Sequence, residues 1–186
     1  MHKFDPKKID RLLSKEREQE LDPEGLLRSC GLKEDDIFAD IGSGPGFFSI
    51  PAARIVGPYG VVFAIDTQEE MLLHLRDADP PQNIILLKSD EESIPLADGE
   101  VDLALIAFVL QEAADTNSFL KEVRRIIRQE GTLVVIDWVK KAEEKGPPLE
   151  ERIDVADAVS LLTMAGFCSV VPGPLTESHY KITASR

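Results

Sequence analysis

The chain alternates short apolar runs with segments in which apolar residues recur at helical spacing. Runs with the length of buried strands occupy residues 37–41, 60–66, 83–88, 101–107 and 132–137. Helical spacing is found between them, at residues 47–56, 68–76 and 118–128. Strands that alternate with helices pair in parallel through right-handed crossovers, which predicts a sheet covered by helices on both faces.

The part of the chain after Gly146 has a different pattern. Asp154 and Asp157 resemble a capping box at the start of a further helix. Two short strands are predicted at 167–171 and 180–184, and the short link between them, Pro172-Gly173-Pro174, favours antiparallel pairing. The complete pattern predicts an α/β fold: a doubly wound, seven-stranded, mostly parallel sheet with a C-terminal antiparallel strand and extra N-terminal helices.

The first 35 residues are charged and helical in character. Asp22 and Pro23 supply a helix cap and a first-turn proline, and Gly31 follows as a C-terminal glycine. At 186 residues, the chain is long enough for one domain with a proper core and too short for two of ordinary size. We therefore expect residues 1–35 to form a helical lid or cap on a single domain made of residues 36–186.

The composition of the chain limits the binding partners and the cellular location that we expect. The net charge of −13 argues against a nucleic-acid backbone or an anionic membrane surface as the main partner. Cys30 and Cys168 lie far apart, so they form neither a metal-ligand motif nor a disulfide framework. The N-terminus lacks the apolar core of a signal peptide and no run reaches membrane-spanning length, which predicts a cytoplasmic protein.

The most informative motif lies in residues 40–46, where an acid at the end of the first strand precedes glycines at alternate positions. A glycine-rich turn between a strand and a helix lets backbone N–H groups approach a ligand closely. The spacing is G-x-G-x-G, and Phe47 stands where the dinucleotide-binding fingerprint requires its third glycine. The carboxylate of Asp40 would repel a pyrophosphate but suits a ligand with ammonium and sulfonium charges, which predicts S-adenosylmethionine.

Four motifs together resemble the class I S-adenosylmethionine-dependent methyltransferases, especially the small-molecule branch that includes the quinone-biosynthesis C-methyltransferases. They occur in the family's order, each at a predicted strand end or helix-to-strand junction, at residues 40–46, 64–66, 89–96 and 124–131. The resemblance covers roughly residues 37–166. It implies a Rossmann-like methyltransferase fold, S-adenosyl-L-methionine as cofactor and a small-molecule acceptor.

The predicted cofactor site combines this resemblance with the position of polar residues at strand ends. Asp66 closes the second strand, where a carboxylate can accept both ribose hydroxyls, although it could also cap the next helix. Asp90 and the Glu91 backbone N–H are expected to face adenine, with Met71 packed on the ring. The full predicted set is Asp40, Gly42, Ser43, Gly44, Gly46, Phe47, Asp66, Thr67, Met71, Asp90, Glu91, Ala107 and Phe108.

The acceptor site is less clearly marked. Phe4 on the N-terminal helix, Gln111 after the fourth strand and Trp138 after the fifth are the predicted substrate contacts. No serine–histidine–acid triad is present, and His2, His74 and His179 fall in a tail, a helix and a predicted edge strand. The sequence therefore assigns no catalytic residue and no metal ligand.

Two other functions stay open at this point. A nicotinamide-dependent oxidoreductase would share the sheet and the acid after its second strand, although the glycine spacing and Asp40 disfavour it. A non-catalytic S-adenosylmethionine-binding module would have the same cofactor motifs. The sequence also leaves the oligomeric state open, a homodimer included.

Overall fold

The computed structural model describes residues 9–90 and 93–186, in which all strands belong to one seven-stranded sheet. Its strands are β1 (Ile37–Ile41), β2 (Val61–Asp66), β3 (Ile84–Lys88), β4 (Val101–Ala107), β5 (Ile127–Trp138), β6 (Cys168–Pro174) and β7 (His179–Ser185). The helices are α1 (Ile9–Leu12), α2 (Lys15–Leu21), α3 (Pro23–Ser29), α4 (Ser49–Val56), α5 (Glu69–Asp77), α6 (Thr116–Ile126) and α7 (Val155–Met164). Short 3₁₀ turns occupy Leu110–Glu112 and Leu149–Glu151.

The strand order across the sheet is β3-β2-β1-β4-β5-β7-β6. Strands β1 to β5 pair in parallel, whereas β7 pairs antiparallel with both β5 and β6. The predicted fold class is therefore confirmed, including the C-terminal antiparallel strand. The order reverses between β1 and β4, and this switch point is where open parallel sheets bind ligands.

The largest differences from the predicted bounds are in α6, β5 and β6. Helix α6 ends at Ile126 and β5 begins directly at Ile127. Near its start, the pairing of β5 with β4 shifts register between Val101 and Leu103. Residue Glu130, at a φ of 64°, lies in the irregular part of β5. The predicted link at residues 172–174 is part of β6, which is an edge strand and therefore tolerates proline.

Buried apolar side chains form two clusters, and successive strand residues alternate between them. Ala104 and Ile106 belong to the cluster that packs against α6 and α7, whereas Leu103 and Leu105 belong to the cluster that packs against α3 and α4. Alternation along a strand places these clusters on opposite faces of the sheet. Among the residues that the structure describes, no helix has the length and apolar character needed to cross a bilayer.

Asp102 connects the starts of three neighbouring strands. One carboxylate oxygen accepts the backbone N–H of Ile37, the first residue of β1, at 2.7 Å. The other oxygen lies 2.7 Å from Nε of Arg128 in β5. Since the Asp102 side chain is 21% exposed, the backbone hydrogen bond is partly shielded from water and contributes more than a fully exposed ion pair would.

We expect Asp102→Ala to lower the free energy of unfolding by about 1–3 kcal/mol, because the Ile37 N–H loses its partner at the start of a central strand. Urea denaturation measures this difference. The control is Asp77→Ala, which breaks an exposed ion pair with Arg76 and should change stability by no more than about 0.5 kcal/mol. Equal losses in both variants would show that the contact to β1 is unimportant.

Candidate active site

A cavity lies at the carboxyl ends of the central parallel strands. Ile41 of β1, Asp66 of β2 and Ala107 of β4 line it, together with the glycine turn that follows β1. The start of α5 and the segment after β4 complete its walls. The sheet therefore brings together residues that are far apart in sequence, at the position expected for a ligand of this fold.

The three glycines of the turn have positive φ angles and different surroundings. A Cβ on Gly42 would lie 2.3 Å from a methyl group of Val109, and one on Gly46 would lie 2.5 Å from a methyl group of Leu75. A Cβ on Gly44 would meet nothing nearer than Leu12, at 3.7 Å. Gly42 and Gly46 thus permit close packing of the chain on itself, whereas Gly44 borders open space in the cavity.

Asp66 fixes the shape of this turn. Its Oδ2 accepts the backbone N–H of Gly44 at 2.8 Å, and its Oδ1 accepts the backbone N–H of Gln68 at 2.8 Å. The N-cap of α5 is Gln68, without a side-chain bond, so Asp66 is not the helix cap that the sequence left open. The Asp66 carboxylate also lines the cavity, so it lies where a ligand hydroxyl could donate to it.

Asp40 lies behind the turn and does not line the cavity. Its side chain is fully buried, and its Oδ2 accepts the hydroxyl of Ser49 at 2.6 Å. Burial, together with a smaller effect from the charge of Asp66, raises the pKa of Asp40 to about 7, against the opposing effects of Ser49 and Arg17. Without a bound cation, this carboxyl therefore takes up a proton near neutral pH.

Most of the predicted cofactor residues line the cavity, namely Gly42, Ser43, Gly44, Phe47, Asp66, Thr67, Met71, Asp90, Ala107 and Phe108. The exceptions are Asp40 and Gly46, which support the turn, and Glu91, which lies outside the described residues. The hydroxyl of Ser43 is buried and has no hydrogen-bond partner within the described part of the chain. Such an orphaned polar atom in a cavity is consistent with a ligand that supplies the missing partner.

Helices α1 and α2 cover one side of the cavity through Leu12 and Arg17, which the sequence analysis did not single out. The guanidinium of Arg17 lies over the ring of Phe47 at 4.3 Å and over that of Phe108 at 5.0 Å. Burial lowers the pKa of Arg17 to about 10, so its side chain remains charged at neutral pH. No periodic signal marks Arg17, because its partners come from three distant segments.

A cluster of three aromatic side chains lies next to Arg17 of α2. Phe108, at a φ of 64°, contacts both Trp138 and His179, and the centroids of the last two rings are 4.3 Å apart. The prediction that His179 lies on an edge strand is wrong, because β6 covers β7 and the His179 side chain is buried. Trp138 and Gln111 do not line the cavity, and Phe4 lies outside the described residues.

The sequence of residues 39–135 matches the model of the methyltransferase domain family, which is half of the chain. The chain belongs to the methyltransferase domain family. The predicted resemblance is therefore confirmed. Within residues 9–90 and 93–186, no group of three His, Cys, Asp or Glu side chains is placed to hold a metal ion.

Individual relatives agree with this membership. The domain is 28% identical over 144 residues to the ubiquinone/menaquinone biosynthesis C-methyltransferase UbiE of Ectopseudomonas mendocina, covering 75% of this chain and 55% of that protein. Its identity to the Hahella chejuensis protein of the same name is 31% over 118 residues, covering 61% of this chain and 47% of that protein. The chain thus spans about half the length of these relatives.

Solved structures give the same fold. A methyltransferase from Aquifex aeolicus, described as S-adenosylmethionine-dependent, superposes with a TM-score of 0.92 at 35% identity, and the match covers 98% of both chains. The [4+2]-cyclase SpnF superposes with a TM-score of 0.74 at 16% identity, covering 88% of this chain and 80% of that one. The second likeness concerns the fold alone, and it shows that the fold also supports other chemistry.

The raised pKa of Asp40 gives a pH-dependent prediction. A carboxyl whose pKa rises from 3.8 in the unfolded chain to about 7 on folding stabilises the fold below pH 4 and loses that contribution as the pH rises to 7. Asp40→Asn keeps an acceptor for Ser49 and cannot ionise. In urea denaturation without cofactor, this variant should therefore gain stability relative to the wild type between pH 5 and pH 8. A constant difference over that range would contradict a neutral Asp40.

Proposed function

We propose that this methyltransferase domain transfers a methyl group from S-adenosyl-L-methionine to a small-molecule acceptor. The observation that carries the proposal is the cavity between the glycine turn and the β2 carboxylate, lined on one side by backbone at Gly44 and on the other by Asp66. Membership of the family supports the same function. The curated relatives are named for quinone biosynthesis, but only the methyl donor and the type of reaction are carried to this chain.

The residues present fit this cofactor. Gly44 leaves space that a side chain would fill, and the Ser43 hydroxyl offers an unused hydrogen-bonding group. We propose that the turn holds the methionine part, that Asp66 and Thr67 hold the ribose, and that Asp90 and Met71 face adenine. Met71 is fully buried in the cavity wall, and Asp90 is exposed at its rim, which suits an apolar ring face and a polar ring edge respectively.

Asp40 would act on the cofactor through the electrostatic field of its carboxylate. A bound ligand with ammonium and sulfonium charges favours the ionised carboxylate, so binding should lower the pKa of Asp40 from about 7 and release a proton. The Ser49 hydrogen bond holds the carboxylate in place in both states. The ionised carboxylate of Asp40 would therefore attract a cationic ligand, as the sequence predicts, although the residue lies behind the turn.

The cofactor supplies an activated methyl group on a good leaving group, so the protein mainly orients the reactants and excludes water. Leu12 and Arg17 cover the cavity, and Phe47 and Phe108 give it apolar walls. We propose that α1 and α2 act as the lid expected from residues 1–35. No catalytic residue is assigned, because His74 is exposed on α5 and His2 lies outside the described residues.

The acceptor is proposed to be a small molecule that approaches from the side of Phe108. The net charge of −13 supports this choice over a nucleic acid, whose phosphates it would repel. A cytoplasmic location and the oligomeric state stay predictions.

Asp66→Ala should weaken the binding of S-adenosylmethionine about tenfold to a hundredfold, because it removes a charge-assisted contact to the ribose and the partner of the Gly44 N–H. Isothermal titration calorimetry measures the affinity, and circular dichroism checks the fold. Asp77→Ala, on the exposed end of α5, is the matched control and should bind normally. Normal binding by a folded Asp66→Ala variant would remove Asp66 from the site.

Two further measurements test the function as a whole. Calorimetry should show binding of S-adenosylmethionine and none of NADH, since the turn lacks the dinucleotide spacing. Formation of S-adenosylhomocysteine against a panel of metabolites should then exceed the rate without acceptor. Binding without turnover for every acceptor would favour a non-catalytic binding module, and binding of NADH alone would overturn the proposal.

A further inference from the structure

We infer that His179 and Arg17 together bind an anionic oxygen on the acceptor, a carboxylate or a phenolate. The inference rests on the proposed function, and it assigns the acceptor subsite to the space beside Phe108. It excludes acceptors that present a cationic amine. Four observations carry it: the position of His179 in the sheet, the tautomer of its ring, the burial and charge state of that ring, and the nearby guanidinium of Arg17.

His179 is brought to the site by β7, which runs antiparallel to both of its neighbours, β5 and β6. It is the first residue of β7, and its Cα pairs with that of Trp138 at the end of β5. The centroid of its ring lies 5.2 Å from that of Phe108, which follows β4 and lines the cofactor cavity. The imidazole therefore adjoins the side from which an acceptor would approach a bound methyl donor.

Hydrogen bonds around Thr176 fix the tautomer of this imidazole. The Thr176 Oγ1 accepts the backbone N–H groups of Ser178 and His179, each at 3.1 Å, and these occupy both of its lone pairs. Its own proton is then donated to Nδ1 of His179, 2.9 Å away. The ring proton of a neutral His179 consequently lies on Nε2. Glu20 does not compete for Nδ1, since its carboxylate is 3.6 Å away, beyond hydrogen-bonding distance.

Nε2 of His179 has no hydrogen-bond partner within residues 9–90 and 93–186. It is nevertheless not fully enclosed by protein. The fully enclosed side-chain atoms without a partner in that part of the chain are Ser43 Oγ, Gln111 Oε1 and Asp137 Oδ2. A small part of the Nε2 surface is therefore accessible to a ligand, although the side chain as a whole is only 4% exposed and does not line the cofactor cavity. Burial lowers the pKa of His179 to about 4, so the ring stays neutral at pH 7. The charges of Arg17, Arg152 and Lys141 also lower this pKa and that of Glu143 opposes them, while the carboxylate of Glu20 lies 3.6 Å from Nδ1.

Arg17 supplies the second donor. Its guanidinium lies 5.0 Å from the centroid of Phe108, the ring that His179 also contacts, and its charge is the strongest of those that lower the pKa of His179. Within the described residues, its guanidinium donates one hydrogen bond, from Nη1 to the carbonyl of Leu12 at 2.9 Å, and the charges of Asp40 and Glu20 also act on it. The remaining N–H groups of a guanidinium suit a carboxylate or phenolate oxygen. A cationic amine would be repelled by the same group.

An anionic acceptor also explains how the reaction proceeds without an assigned base. The ionised acceptor provides the electron pair for the new bond to the methyl carbon, and the bond from that carbon to sulfur breaks with its pair left on sulfur. The negative acceptor and the positive sulfonium both become neutral, so no proton is transferred in this step. Arg17 and His179 favour the ionised form of the acceptor before the transfer.

The tautomer can be tested without any acceptor. Long-range ¹H–¹⁵N spectra of the histidine side chains at pH 7 should show a neutral His179 with its proton on Nε2, assigned by the signal that disappears in His179→Phe. Thr176→Val, which removes the donor to Nδ1, should abolish this preference in a folded protein. A proton on Nδ1 in the wild type, or a charged imidazolium, would overturn the inference.

Probe binding tests the anion site itself. Fluorescence of Trp138, the single tryptophan, should report binding of benzoate or 4-nitrophenolate and none of benzylamine, in protein saturated with S-adenosylhomocysteine. Arg17→Met and His179→Phe should each weaken the bound anion about tenfold, and Arg11→Met, an exposed neighbour on α1, should not. Benzoate alone would identify a carboxylate site, and 4-nitrophenolate alone a phenolate site. Binding of benzylamine as strong as that of the anions, or of no probe, would overturn the inference.

Measurements with two analogues of the cofactor separate this inference from the proposed function. Because Arg17 lines the cavity, Arg17→Met should change the affinities of 5′-methylthioadenosine, which lacks the amino-acid part, and of S-adenosylhomocysteine by the same factor. If this variant weakens S-adenosylhomocysteine alone and leaves the anion probes unchanged, Arg17 serves the cofactor carboxylate and the inference fails. If the wild type binds no S-adenosylmethionine, the proposed function fails, whereas the tautomer of His179 and anion binding without cofactor can still be measured.

Discussion

The site depends on the two hydrogen bonds that the Asp66 carboxylate accepts from the backbone at Gly44 and Gln68. They join the turn after β1 to the end of β2 and to the entry of α5, so one side chain sets the distance between the walls of the cavity. A turn with several positive φ angles has few internal bonds of its own. The carboxylate therefore supplies the rigidity that the glycines lack, and it does so at the position proposed for the ribose.

The environment under α1 and α2 changes the charge state of the groups that surround the proposed reaction. Asp40 takes up a proton near neutral pH because it is buried, and His179 stays neutral because it is buried beside cations. Arg17 remains charged, held between two aromatic rings. A cofactor with a sulfonium would thus meet a site that excludes water, and a methyl transfer that neutralises charge is favoured in such a site.

Several elements could be predicted because the physics that defines them is local. The bounds of β1 and β4 match the apolar runs, since strands in the middle of a parallel sheet are buried on both faces. The start of α7 follows from its Asp154 cap. The β5 bulge was not predictable, because it arises from a shift in pairing with β4, and the span of β6 depends on an edge position that lets prolines join a strand.

By itself, the sequence determined the fold class and the glycine turn and named ten of the residues that line the cavity, because strand periodicity and turn chemistry depend on near neighbours in the chain. Only the tertiary structure decided that Asp40 supports the turn from behind, that β7 lies inside the sheet, and that Arg17 and His179 meet at Phe108. Burial, charge state and hydrogen-bond partners depend on segments more than a hundred residues apart. No pattern along the chain encodes which of them will be in contact.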